Sequence, residues 1–381
     1  MDFELSSEQR ALRETIREFA EAEIAPHADA WDQAGEVPLD TVRKLGELGV
    51  MGLAFPEEYG GVGAGTLAFA LAIEELARID SSTAITVGAS VSLGGGPIYL
   101  FGSEAQKQQW LVPLARGETL GAFGTTEPAG GSDVQAMTTT ARAEGDELVI
   151  NGTKAFITNA GTEMSAFVTI VAITSDHPRE YSNVLIPTGT PGYTVGRPYR
   201  KIGWHASDTR ELIFEECRVP MSNIVGTAGR GVAQFLEVLD GGRVGVAALS
   251  VGLAQGCLDL SMAYAKTRMA FGTPIAHKQA VQFRLAELAT EIEAARLLTY
   301  RAAIAKDAGR RITMEAAMAK LFASEVAVRA ADAAVQIHGG LGYIEETAVA
   351  RHYRDAKILT IGEGTSEIQK LVIGRALGLN E

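Results

Sequence analysis

Cysteine is scarce in this chain: only Cys217 and Cys257 occur among 381 residues. Two isolated thiols cannot build a disulfide framework, so a reducing, intracellular setting is expected, with both thiols as buried filler. No stretch approaches the roughly 18 uninterrupted apolar residues of a membrane span. The opening Met1-Asp2-Phe3-Glu4 lacks the apolar core of a signal peptide. The expectation is therefore a cytoplasmic protein with no membrane span. Positive charge is also short, with 34 basic against 47 acidic residues and a net charge of −13. Such a balance disfavours nucleic-acid binding, which needs clustered Lys and Arg to replace phosphate counterions. The six histidines include no pair at i, i+4 and none at ligand spacing from a cysteine, so no metal site is expected. A Gly-x-Ser-x-Gly nucleophile elbow is absent. Gly61-Val62-Gly63-Ala64-Gly65 has the texture of a dinucleotide loop, but no strand precedes it and no βαβ unit frames it.

What is present falls into three textures. Ser6 and Gln9 form a capping-box pattern, and Leu12, Ile16, Phe19 and Ile24 then fall near one helical face. Helical periodicity recurs over residues 39–48, 67–79 and 104–115. From about Gly121 to Val225 the period drops to two. There Asn151-Gly152, between two β-rich runs, predicts a type I′ hairpin. Beyond Gly231 the chain is alanine-rich, with helical segments at 232–239, 244–267, 280–309, 313–339 and 366–377, lengths that suit a bundle. The fold expected is α+β: an N-terminal helical domain (1–120), a middle antiparallel β domain (121–228) and a C-terminal helical bundle (229–381).

Three segments could carry chemistry. Gly124-Thr125-Thr126-Glu127-Pro128-Ala129-Gly130-Gly131-Ser132-Asp133 offers hydroxyls and free backbone N–H groups. It reads equally as an elaborate turn or as a cradle for a ring edge and a phosphate. On the following β-rich run, Phe156 and Thr158 are two residues apart, an aromatic and a hydroxyl on one strand face; Phe156 also fits a core position. Glu363 lies between Gly362 and Gly364, just before a helix that Ser366 and Gln369 would cap. It reads either as a solvated loop residue or as a carboxylate aimed into a cleft.

The first two segments closely resemble the flavin-binding signatures of the acyl-CoA dehydrogenases. The resemblance continues through Asp208-Thr209-Arg210-Glu211, Leu239-Asp240-Gly241-Gly242-Arg243, Arg268-Met269-Ala270-Phe271-Gly272, Gln336-Ile337-His338-Gly339-Gly340 and Glu363-Gly364-Thr365-Ser366. It covers essentially the whole chain and is nearest to the short-chain, butyryl-CoA dehydrogenase-like branch. It implies FAD-dependent conversion of a fatty acyl-CoA to the trans-2-enoyl-CoA, as in fatty acid β-oxidation. Glu363 would be the α-proton base and flavin N5 the hydride acceptor. FAD would be bound by Phe123, Thr125, Thr126, Gly131, Ser132, Phe156, Ile157 and Thr158, and by Thr365 and Glu367 at a helix start. Arg268, Phe271, Gln279, Gln336, Gly339 and Gly340 would reach the FAD of a neighbouring subunit, which implies a homotetramer built as a dimer of dimers. Ser132, Asp240, Arg243 and Gly364 would lie on the substrate side. An electron-transferring flavoprotein is the implied electron acceptor. Two departures touch the flavin: Thr125 replaces the usual aliphatic residue and Phe156 the commoner Trp. Some relatives carry the base on the helix near Arg243, where this chain has Gly242. The rival readings are an oxidase of the same fold, a dehydrogenase of carrier-protein-bound acyl groups, a non-catalytic nucleic-acid-binding relative, and a cofactor-free helical scaffold.

Overall fold

A computed structural model describes residues 4–379, apart from the side chain of Gln135. The chain opens with α1 (Ser7–Phe19), α2 (Ala28–Ala34), α3 (Leu39–Glu47), α4 (Gly65–Ile79), α5 (Ser81–Ala89) and α6 (Gly96–Phe101). Two short helices follow, α7 (Glu104–Gln106) and α8 (Val112–Ala115), joined by a wide π turn. Ser6 and Gln9 cap α1 reciprocally, as their spacing predicts. The helical stretch at residues 81–101, which contains Gly94-Gly95-Gly96-Pro97, lies outside the segments that periodicity predicts. The glycines serve packing: a Cβ at Gly94 would strike the Gly121 backbone, and one at Gly95 the Phe55 ring.

The middle region forms one sheet from β1 (Leu120–Gly124), β2 (Thr140–Glu144), β3 (Glu147–Thr158), β4 (Ser165–Asp176), β5 (Arg179–Pro187), β6 (Tyr193–Val195), β7 (Thr209–Pro220) and β8 (Ile224–Val225). Its order is β6-β7-β3-β2-β4-β5-β8, with β1 beside β4. Most pairs are antiparallel, but β1 and β2 each run parallel to β4, so the sheet is mixed. The hairpin predicted at Asn151-Gly152 does not form. The chain turns earlier, at Gly145 (φ 66°), and β3 runs straight through Asn151 and Gly152 as a bulge against β7. Tertiary contacts decide this: the Asn151 side chain is spent on Glu216, donating to its Oε1 at 2.8 Å and accepting from its N–H at 2.9 Å.

The C-terminal bundle holds α9 (Gly231–Thr267), α10 (Gln279–Asp307), α11 (Thr313–His338), α12 (Ala348–Ala356) and α13 (Ser366–Ala376), with a small hairpin of β9 (Met269–Ala270) and β10 (Thr273–Pro274) after α9. The two segments expected at 232–239 and 244–267 are one continuous helix, unbroken at Gly241-Gly242. Gly252 and Gly256 of α9 sit on the Glu74 and Arg78 carbonyls of α4, leaving no space for a Cβ. Two stretches, Ser81–Phe101 and Gly231–Thr267, are long and apolar enough to cross a bilayer by length and composition. Yet 67% and 83% of their apolar windows are buried inside the protein, as in core helices.

Candidate active site

Glu363 adopts a left-handed backbone conformation (φ 53°) and is followed by Gly364, also left-handed (φ 94°). That geometry is costly for a side-chain-bearing residue and persists only where its surroundings enforce it. Two donors do so. Lys320 Nζ of α11 donates to the Gly364 carbonyl at 2.7 Å, and Gln369 Nε2 of α13 donates to the same oxygen at 2.9 Å and to the Glu363 carbonyl at 3.3 Å. The capping pattern read for Ser366 and Gln369 is accordingly different in the structure. Thr365 is the N-cap, accepting from the Ile368 N–H, so the cap lies one residue before the expected Ser366 and α13 starts at Ser366. Ser366 Oγ instead donates to Glu325 of α11 at 2.8 Å.

The strained turn aims the Glu363 carboxylate at α9, where a Cβ on Gly242 would overlap its Oε2. Oε2 is shielded from water and has no hydrogen-bond partner. Burial pushes the carboxyl up to about 7, against the pull of Lys320 and Arg243. Arg243 is 3% exposed; its Nη1 donates to Asp240 at 2.7 Å, while its Nε is buried without a partner. Asp240 in turn accepts from Thr313 Oγ1 at 2.6 Å. A carboxylate oxygen against Gly242 and a guanidinium nitrogen of the next residue are thus both buried and unsatisfied, which is costly unless a ligand supplies the missing partners. Asp240 and Arg243 open onto a cleft of about 1660 Å³, walled by Phe69 and Tyr99 on one side and by Lys306 and Thr313 on another.

The glycine- and threonine-rich loop lies at the end of β1. Phe123 stacks on Phe235 of α9, ring centroids 5.2 Å apart and ring planes nearly parallel. Phe235 is about five residues, or roughly 8 Å of helix, from Asp240, so this contact ties the loop to the Glu363 cluster. The Thr126 carbonyl accepts from the Ala155 N–H at 2.9 Å, and Gly131 packs on the Thr126 side chain. Thr125 Oγ1 is buried without a partner, Gly131 and Ser132 are exposed, Ile157 is core and Thr158 is half-buried. Phe156 departs from the simple alternation expected of its strand. It is left-handed (φ 61°), sits in a bulge, is 64% exposed, and has its ring 5.1 Å from that of Tyr199. An orphaned hydroxyl and a bare aromatic face near exposed glycine backbone fit a flat heteroaromatic cofactor such as the FAD that the resemblance implies.

Beneath this loop is a pair that sequence reading missed. Lys154 (0% exposed) donates to Glu127 at 2.8 Å. Glu127 also accepts from the Thr138 N–H and Oγ1 and from the Thr139 N–H. Burial opposes its ionisation, but Lys154 and these donors hold it down to about 2. Lys154→Met would strand a buried carboxylate, and an unfolding free energy lower by about 3–5 kcal/mol is expected, read as a lower midpoint in urea. An unchanged midpoint would mean that the pair does not brace the loop.

The remaining residues gather elsewhere. Arg268, Phe271, Gln279, Gln336, Gly339 and Gly340 are all exposed around the far ends of α9 and α11. Phe271 is left-handed and 97% exposed, beneath Lys278 Nζ at 5.6 Å. About 25 residues of unbroken helix separate Arg243 from Arg268, close to 38 Å. Arg268 and its neighbours therefore lie far from the cleft onto which Arg243 of the same chain opens. Thr365 and Glu367 lie at the start of α13, Glu367 exposed. Among the described residues no cluster of His, Cys, Asp and Glu could hold a metal ion. Lys320 is a further residue that sequence reading missed. Its signal was available, a single lysine on an otherwise alanine face with Ala316, Ala319 and Ala323, all of them buried.

Comparison with known proteins gives a consistent result. Sequence models of the acyl-CoA dehydrogenase N-terminal, middle and C-terminal domains match residues 6–118, 122–217 and 229–378. The chain is 52% identical to the "Probable acyl-CoA dehydrogenase YngJ" of Bacillus subtilis, over 99% of this chain and 100% of that protein. It is 46% identical to the mitochondrial short-chain specific acyl-CoA dehydrogenase of Rattus norvegicus, over 97% of this chain and 90% of that one. Among solved structures, butyryl-CoA dehydrogenase from Megasphaera elsdenii superposes with a TM-score of 0.96 at 43% identity, covering 99% and 100% of the two chains.

Proposed function

Because the chain belongs to the acyl-CoA dehydrogenase family, FAD-dependent oxidoreductases, we propose that it dehydrogenates a short-chain fatty acyl-CoA to the trans-2-enoyl-CoA, with Glu363 taking the α-proton. The observation that carries this reading is the Glu363 carboxyl, half-buried with its Oε2 shielded from water, aimed at α9 and poised near 7. A general base works best when its proton affinity matches the operating pH. A free carboxylate near its ordinary value would be too weak a base for the α-proton of a thioester.

The division of labour follows from the residues. Arg243, with Asp240 and Thr313 behind it, orients the thioester end and the pantetheine arm in the cleft. The apolar wall at Phe69 and Tyr99 receives acyl chain and excludes water. The Glu363 backbone N–H is a donor for the thioester carbonyl, where negative charge grows as the α-proton leaves. Bound FAD supplies the acceptor for the hydride that leaves the β-carbon, so that one C–C bond becomes double and one proton and one hydride are removed. Phe123, Thr125, Thr126, Gly131, Ser132, Phe156, Ile157 and Thr158 would hold its ring system, with Ser132 shared with the substrate and Thr365 and Glu367 at the start of α13. The 38 Å separation supports a role for Arg268, Phe271, Gln279, Gln336, Gly339 and Gly340 on a second subunit's cofactor, hence a homotetramer. An electron-transferring flavoprotein is the proposed electron acceptor. The likeness to short-chain relatives supports a short acyl group.

Anaerobic addition of butyryl-CoA to the yellow protein is expected to bleach the flavin band within the mixing time of a manual assay, with crotonyl-CoA as product. Longer acyl-CoAs should bleach it progressively more slowly. A protein that purifies with FAD yet stays yellow with every acyl-CoA from four to sixteen carbons would end this reading. Rapid oxygen consumption during turnover would move it to an oxidase.

A further inference from the structure

Lys320 is a fully buried lysine in the middle of a packed helix, where it has one hydrogen bond, to the Gly364 carbonyl. Burying an ammonium is expensive, and a lysine in that position needs compensation. The available partners are the Gly364 oxygen and the field of nearby carboxylates, Glu363 foremost. We propose that Lys320 is a positioning residue for the reaction, pinning the turn that carries Glu363 in its left-handed form and lending the carboxylate a neighbouring positive charge. The inference rests on the assignment of Glu363 as the base and extends it to a residue on a different helix.

The geometry supports a specific division between the two nearby cations. Arg243 shares its charge with Asp240 through a 2.7 Å ion pair, whereas Lys320 has no carboxylate in hydrogen-bond contact. The charges acting on Glu363 are Arg243 from α9 and Lys320 from α11; behind them Asp240 faces Arg243, and Glu325 of α11 and Glu367 at the start of α13 face Lys320. Glu325 is engaged by Ser366, and Glu367 is exposed. Lys320 is thus the uncommitted positive charge beside the buried carboxylate. Burial also brings the ammonium itself down to about 8, so it remains charged through neutral pH.

The sign of the effect is fixed. Lys320 lowers the proton affinity of Glu363, so removing its charge raises that affinity and leaves more of the base protonated at any pH below the new value. In the FAD-loaded Lys320→Met enzyme, the acidic limb of kcat/KM should move to higher pH. Activity at pH 6 should fall about tenfold relative to wild type, and the deficit should shrink towards pH 9. Lys320→Gln, which keeps an amide donor for the Gly364 carbonyl, should move the limb in the same direction and guards against poor folding of the Met variant. Lys320→Arg should restore the limb. An independent readout is the infrared band of the protonated Glu363 carboxyl, identified by its loss in Glu363→Gln; its disappearance should require higher pH in both uncharged variants. A lysine that only packs would lower stability and leave the limb and the band in place, which would overturn the inference. Near-normal turnover of Glu363→Gln would instead defeat the assignment of the base itself.

Discussion

Glu363→Gln is expected to lower kcat by about a thousandfold or more while the protein keeps its yellow colour and its affinity for acyl-CoA. The amide has the shape of the carboxyl and can still satisfy the cleft, but it cannot accept the α-proton. Stability should move the other way. The folded carboxyl is raised to about 7 from an ordinary value of 4.5, so its deprotonation opposes folding. That cost is absent below about pH 4.5 and complete above about pH 7, where it amounts to roughly 2–3 kcal/mol. At pH 8 the Gln variant should therefore melt at or above the wild-type temperature. Activity lost with stability kept or gained is the signature of a site that holds a group in an unfavourable state for use. Turnover within tenfold of wild type would remove Glu363 from the mechanism.

The second large effect is expected from Gly242→Ala. In an unbroken helix this change normally stabilises, by up to about 1 kcal/mol. Here the new methyl would occupy the space of Glu363 Oε2. The carboxylate would have to swing away, and its strained turn, pinned by Lys320 and Gln369, has little room to follow. Displacing a catalytic group by about 1 Å can cost a hundredfold, so kcat is expected to fall at least that far while the helix content and melting temperature hold. Gly241→Ala is the control, because its methyl meets only the mobile end of Lys306. Equal, near-normal rates in the two variants would show that Glu363 does not work from the position it has in this structure.

The three-part layout was legible because it depends on local periodicity. Amphipathic spacing in α1, alternation in the sheet and alanine-rich runs in the bundle are properties of neighbouring residues, and so is the reciprocal cap at Ser6 and Gln9. Glycine was the recurrent source of error. At Asn151-Gly152 it signals a turn but serves a bulge. At Gly241-Gly242 it signals a break but serves a close approach inside α9. Glycine reports that some group comes close or that a dihedral is unusual. Which of the two applies depends on residues distant in the sequence.

The candidate site divides in the same manner. Its residue types and order are written in the chain, and they sufficed for the family resemblance, the cofactor and the identity of the candidate base. Proton affinity was not, because a carboxylate's solvation depends on what folds around it. Only the assembled bundle shuts water away from Glu363, brings Lys320 and Arg243 beside it, and sets Gly242 where any side chain would intrude. The helix expected over 244–267 already separated Arg268 from Arg243, and the structure extends it unbroken across Gly241 and Gly242. Sequence determines which groups are available and their local conformational preferences. Distance and dielectric, on which the chemistry depends, exist only once remote segments are packed together.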